Sequence, residues 1–312
     1  MTCTIAVTGV PSVTLAVTGA SGFVGQMFLE TAMASGHRVQ ALTRRHQPAR
    51  PGVTWVEGTL ADTTALDRLV AGADVVVHIA GAVNVPSRAA FAAANIDGTR
   101  NMVDAATRAG ARRFVHVSSL AARMPDLSNY GWSKAEAEKV VQASSLCWAI
   151  VRPPGVYGPR DTDMLEMFRM ARRGYMLLPP AGRGSWIHVT DLAQLLLTLV
   201  DGGPQGVILE PDDGTPLSHR EMAAAIGAAL GRSSLTSIAA PRWLLKLAGH
   251  GDRLVRGDKA RLTPDRAAYM SHPDWVVDTA RAPDPALWAP KITITDGFAS
   301  TADWYRRHGW ID

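Results

Sequence analysis

Apolar and polar residues in the first half of this 312-residue chain follow two alternating rhythms. Short apolar runs rich in β-branched residues stand at 13–18, 37–43, 53–57, 74–80, 113–118 and 147–152. Between them, apolar residues recur at three- and four-residue spacing, which predicts helices over 23–35, 62–71, 87–109 and 131–145. The runs at 75–80 and 114–118 are almost continuously apolar, the pattern of strands covered on both faces and so of a parallel sheet. Regular strand–helix alternation predicts an α/β fold, a doubly wound parallel sheet with right-handed crossovers.

After about residue 155 proline and glycine become frequent, and helices are predicted at 163–173, 190–201 and 218–230. This texture predicts a smaller, mostly helical part over 156–312, with some segments returning to the sheet domain of 13–155. Residues 1–12 read as a leader or weakly ordered extension, because Ala6-Val7-Thr8-Gly9 echoes Ala16-Val17-Thr18-Gly19 but lacks the later glycines.

Composition narrows the class. With 47% hydrophobic and 19% charged residues, the chain has ample core for a globular protein. A net charge of +4 from scattered basic residues gives no footprint for nucleic acid. Two cysteines, Cys3 and Cys147, form no disulfide framework, and a reducing cytoplasm is the simplest expectation. No apolar run reaches the roughly 18 residues of a membrane span, and the N-terminus lacks a signal-peptide pattern. No metal is expected.

Candidate chemistry begins at Thr18-Gly19-Ala20-Ser21-Gly22-Phe23-Val24-Gly25, between the first strand and the first helix. In that context Gly19 permits a tight turn, Gly22 lets backbone approach a pyrophosphate, and Gly25 lets the helix pack on its strand. The helix N-terminus then offers unpaired N–H groups to phosphates. The second strand ends Leu42-Thr43-Arg44-Arg45, where many NAD sites carry an acid. Two guanidinium groups there favour a 2′-phosphate, hence NADP. Asp62 reads equally as an adenine partner or as a helix N-cap. Ala80 and Gly81, ending the fourth strand, let backbone lie against a cofactor.

Tyr130 and Lys134 are four residues apart, on one face of the predicted helix. A nearby ammonium is expected to lower the phenol pKa and fit the tyrosine for proton exchange with an alcohol or carbonyl. Ser118-Ser119 ends the fifth strand, at the edge where doubly wound sheets bind ligands.

Together with His78-Ile79-Ala80-Gly81, Asn95 to Asn101, Arg152 to Arg160 and His188 to Ala193, these motifs resemble an extended short-chain dehydrogenase/reductase of the NAD(P)-dependent epimerase/dehydratase group, a Rossmann-fold family. The resemblance implies Ser119, Tyr130 and Lys134 as catalytic residues. It implies a dinucleotide held by Gly19, Ser21, Gly22, Phe23, Val24, Gly25 and Arg44, with Lys134, Pro153 and Val156 around the nicotinamide. It makes Asn95 mainly structural. It also implies that homodimers are common, through helices 87–109 and 131–145.

The chain departs from the sugar-modifying members. Leu120-Ala121 follows Ser119, so the Asp-Glu couple of sugar dehydratases is absent, and glycine replaces the diphosphate-clamping arginine, with Arg183 one position off. The expected substrate lining, Val83, Asn84, Val85, Met164, Phe168, Tyr175, Met176, Leu178 and Trp186, is largely apolar. The expectation is therefore an NADP-dependent ketone or aldehyde reductase, or the matching alcohol dehydrogenase, for a hydrophobic small molecule. The alternatives are a nucleotide-sugar epimerase or dehydratase with retained NAD, and a non-catalytic dinucleotide-binding subunit.

Overall fold

Leu15, Ala16 and Val17 are fully buried, and a strand inside a sheet is where such a run keeps every backbone group paired. They form β1 (Thr14–Thr18) of a seven-stranded sheet in this computed structural model, which describes residues 12–241, 243, 247, 252 and 263–312. The expected leader, and Cys3 with it, lies outside the described residues except for its last position, Ser12. The other early strands are β2 (Arg38–Thr43), β3 (Val53–Glu57), β4 (Val75–His78), β5 (Arg113–Val117) and β6 (Trp148–Val151).

The chain next forms β7 (Gly155–Tyr157), β8 (Tyr175–Leu178), β9 (Arg183–Gly184) and β10 (Trp186–His188), then β11 (Val207–Leu209). The large sheet has the order β11-β6-β5-β4-β1-β2-β3, every pairing parallel. Strand order reverses between β1 and β4. At such a switch point the loops leaving the strand ends diverge and leave a crevice for a ligand.

Helices α1 (Phe23–Ala34) and α2 (Thr63–Val70) follow β1 and β3. The expected helix 87–109 is three pieces: α3 (Arg88–Phe91), a π-helical stretch (Ala92–Asp97) and α4 (Gly98–Arg108). Periodicity alone does not reveal this widening, because the apolar spacing survives it. α5 (Asn129–Gln142) starts two residues earlier than expected, since the Ser128 hydroxyl caps it by accepting the Gly131 N–H at 3.0 Å. Leu66, Leu69, Val76, Met102, Phe114 and Ile150 form one core beneath these helices.

The chain divides into two compact units. The first runs to Arg152 and takes in Leu192–Glu210 and Pro283–Ala289; the second is Pro153–Asp191, Pro211–Ala282 and Pro290–Asp312. α7 (Val189–Asp201) crosses the division after Asp191. The second unit holds α6 (Thr162–Arg172), α8 (His219–Ala229) and the helices Pro264–Met270 and Ile294–Arg307. It also holds short strands, including β12 (Leu217–Ser218), β13 (Thr236–Ala239) and β14 (Asp274–Trp275), in three small sheets that the sequence pattern missed. Two to four residues carry too little alternation to announce a strand.

The core of the second unit corrects part of the expected substrate lining. Phe168 is fully buried against Phe298 and Tyr305, and Met176 is fully buried as well. Met164 and Leu178 pack into the same cluster. The apolar residues on α6 at 164, 165 and 168 face this core rather than a ligand.

Candidate active site

The glycine turn is built as its spacing requires. Gly19 has φ +72°, and a Cβ on it would stand 2.7 Å from the Ala80 nitrogen. A Cβ on Gly25 would collide with the Gly19 carbonyl, so only glycine lets α1 pack this closely on the turn. Gly22 caps α1 without a side-chain hydrogen bond, and the first turn holds no acid. That leaves α1 N–H groups and the positive end of the helix dipole for an anion. Ser21 is exposed beside the turn, and Phe23 and Val24 are half-buried in the first turn of α1.

Behind the turn, the Thr18 hydroxyl accepts the Ala80 N–H at 3.2 Å and meets His78 Nδ1 at 2.7 Å, while His78 Nε2 meets the Thr99 hydroxyl at 3.0 Å. Burial, and then the charge of Lys134, lowers the His78 pKa to about 3, so the ring is neutral. It pins the ends of β1 and β4 together. Arg44 and Arg45 are exposed just past β2, where Thr43 Oγ1 donates to the Arg45 carbonyl at 2.6 Å. Asp62 is an N-cap: its carboxylate accepts the Ala65 N–H at 3.0 Å.

The end of β5 and one face of α5 make the second half of the site. Three successive strand-end residues each hold one of three α5 residues spaced four apart. The Ser119 and Tyr130 hydroxyls share a hydrogen bond. Lys134 Nζ donates to the Val117 carbonyl at 2.8 Å, and Ser118 Oγ donates to Glu138 Oε1 at 2.5 Å. Positions 130, 134 and 138 share a helix face, so one strand end aligns all three.

Burial lowers the Lys134 pKa to about 8, with Glu138 opposing the shift. It raises that of Tyr130, which the Ser119 hydrogen bond partly offsets. The expected lowering of the phenol pKa is therefore corrected. Desolvation outweighs any help from Lys134, whose ammonium reaches the Val117 carbonyl.

The sequence reading gave no site role to Glu138, Glu210 or Arg123, and named Arg152 only as part of a motif. Glu138 accepts a forked pair from Arg152, Nε at 2.8 Å and Nη2 at 2.6 Å. Arg152 Nη1 donates to the fully buried Glu210 at 3.2 Å, and Arg123 reaches the other Glu210 oxygen at 3.4 Å. Asn95, in the π-helical stretch, accepts the Ala82 N–H at 2.7 Å and donates to the Ala82 carbonyl at 3.0 Å and to Ser133 Oγ at 2.8 Å. Ser133 Oγ in turn donates to the Tyr130 carbonyl at 2.8 Å. A Cβ on Gly81 would lie 3.3 Å from Asn95 Oδ1 and 3.5 Å from Lys134 Nζ, so the β4 loop runs directly over these groups. The wide turn at Asn95 was invisible in the sequence, but the Lys134–Glu138 spacing was a usable signal.

Of the remaining expected residues, Val83 and Asn84 are exposed and Val85 half-buried on the loop after β4. In the second unit Pro153 is buried, Val156 is half-buried on β7, and Tyr175 and Trp186 are half-buried on β8 and β10.

A glycine turn placed where the strand order of a parallel sheet reverses defines the class, a dinucleotide-binding α/β protein. The comparisons give the family. The profile of the NAD dependent epimerase/dehydratase family matches residues 15–209. The chain is 35% identical to a ceramide reductase of Caulobacter vibrioides, over 95% of this chain and 96% of that one. It is 27% identical to a dTDP-glucose 4,6-dehydratase of Streptomyces antibioticus, over 94% and 92%. The crystal structure of the Bordetella bronchiseptica enzyme WbmH in complex with NAD+ shares the fold, with a TM-score of 0.75 at 21% identity, covering 96% of this chain and 100% of that one. The chain belongs to the NAD-dependent epimerase/dehydratase family, the extended short-chain dehydrogenases/reductases, and is an NAD(P)-dependent oxidoreductase.

Proposed function

We propose that this protein reduces the carbonyl of a hydrophobic, lipid-like molecule at the expense of NADPH. The observation that carries this reading is the Ser119–Tyr130 hydrogen bond on the helix face that also holds buried Lys134. The glycine turn suits a pyrophosphate, since Gly19 and Gly25 let the turn pack tightly against β4 and α1 while the N-terminus of α1 carries no side-chain cap and no acid. Bound there, NADPH supplies the hydride.

The residues supply the rest. Ser119 donates a hydrogen bond to the carbonyl oxygen. Tyr130 gives that oxygen its proton, so that an alcohol forms. Reduction consumes a proton, and a phenol whose pKa burial raises is reliably protonated at neutral pH. The Lys134 ammonium favours the phenolate left behind. The ceramide reductase relative supports a long-chain ketone as substrate. The dehydratase relative supports sugar chemistry less well, because buried Leu120 and Ala121 follow Ser119 where acid/base carboxylates would be needed. NADPH oxidation in the presence of ceramide-type ketones, with dTDP-glucose as control, tests the reading. Turnover of the sugar nucleotide alone would overturn it.

Lys134 adds a pH signature. Below about pH 8 the amine carries its proton, and above it the proton is lost. If the ammonium supports Tyr130, kcat/KM falls as pH rises through about 8. A profile flat to pH 10 would remove Lys134 from the chemistry.

Arg44 and Arg45 are assigned to the 2′-phosphate. The double change Arg44→Ser and Arg45→Ser should weaken NADPH binding by about ten- to a hundredfold, the worth of one charge-assisted hydrogen bond. NADH binding should stay within about twofold on the same argument. Equal losses for both nucleotides in a titration would refute the assignment.

A further inference from the structure

The Arg152 guanidinium holds two buried carboxylates, and each of them also takes hold of the chain near Ser119. Glu138 accepts the Ser118 hydroxyl at 2.5 Å, one residue before Ser119. Glu210 accepts Arg123 Nη1 at 3.4 Å, four residues after it. Arg152 and Glu210 follow the paired ends of β6 and β11, so the anchor of both grips is the sheet itself. One guanidinium thus clamps the segment on either side of Ser119.

Between the grips lies a single 3-10 turn, Leu120–Arg123, and Ser119 caps it. The Ser119 hydroxyl accepts the Ala121 N–H at 3.2 Å, and its carbonyl accepts the Ala122 N–H at 3.0 Å. A Cβ on Gly131 would stand 2.6 Å from the Ala121 carbonyl oxygen and 3.1 Å from that of Met124. The turn therefore lies directly on the start of α5, beside Tyr130. If the turn shifts, the Ser119 hydroxyl shifts with it. Arg123 is the outer end of the network, its side chain 36% exposed against 12% for Arg152. It can be removed without opening a hole in the core.

We propose that Arg123 is a positioning residue: through Glu210 it fixes the turn that sets the Ser119 hydroxyl against Tyr130. The effect on catalysis rests on the reductase reading; the tether does not.

Hydrogen exchange and a double-mutant cycle on the full chain test the two parts separately. In Arg123→Ala the amides of Ala121 and Ala122 exchange about tenfold faster or more, while those of β5 keep their rates. Arg123→Lys, which keeps a cation facing Glu210, restores most of both rates. With NADPH and a ceramide-type ketone, kcat of Arg123→Ala falls about ten- to a hundredfold, the order expected when a group at the reacting centre is displaced by about 1 Å. The Kd for NADPH is unchanged, and Arg123→Lys recovers kcat. In a Ser119→Ala background the same Arg123→Ala change costs no more than about twofold, because the group it positions is gone. Thermal unfolding shows that each variant folds.

Unchanged exchange in Arg123→Ala overturns the proposal whatever the turnover. So does an equal loss of kcat with and without the Ser119 hydroxyl, or a lysine variant that regains stability and not kcat. Wild-type kcat in Ser119→Ala alone, or a parent that reduces no ketone, refutes the reductase reading instead, and exchange then decides the tether.

Discussion

Replacing Tyr130 with phenylalanine lowers the turnover of NADPH-dependent carbonyl reduction by about 10²- to 10⁴-fold, the usual contribution of a positioned proton donor. The ring is half-buried and touches Phe91 at a centroid distance of 6.1 Å, so its packing survives the change. Only the hydroxyl hydrogen-bonded to Ser119 is lost. NADPH affinity should therefore remain within about twofold, because the removed group takes no part in uniform binding. Stopped-flow hydride transfer and a fluorescence titration of NADPH read the two quantities separately. Wild-type turnover in Tyr130→Phe would dismiss the phenol as the acid.

The second large effect falls on stability. Arg152→Ala leaves Glu138 and Glu210 buried, 2% and 0% exposed, without their shared guanidinium. Removing one member of a buried ion network costs about 3–5 kcal/mol, because the remaining charge keeps its desolvation penalty. Arg152→Lys should recover only part of this, since an ammonium cannot reproduce the fork to Glu138. Urea unfolding measures both variants, and a loss below about 1 kcal/mol for Arg152→Ala would show the network to be incidental.

Glu138→Gln gives a gentler probe of the same network. Glu138 is the group that opposes the burial-driven drop in the Lys134 pKa. Its neutralisation should move the alkaline limb of kcat/KM to lower pH. A limb that stays in place, with stability alone reduced, would confine Glu138 to a structural role.

The amino-acid sequence determined by itself whatever depends on near neighbours. The strand–turn–helix around Gly19, Gly22 and Gly25 was legible because a glycine's φ and the room for a Cβ are local matters. The parallel sheet was legible because β4 and β5 carry almost continuous apolar runs. Ser119, Tyr130 and Lys134 were legible as a motif on a strand end and one helix face.

Tertiary structure decided whatever depends on burial and distant partners. Phe168 looked like pocket and is core, because Phe298 and Tyr305, far along the chain, close over it. Glu138, Arg152 and Glu210 meet only once β6 and β11 pair. The wide turn at Asn95 acquires meaning from Ala82 and Ser133. The direction of the Tyr130 shift reversed for the same reason: sequence spacing records which charges are near, while removal from water, the larger effect here, is set only when the whole chain has folded.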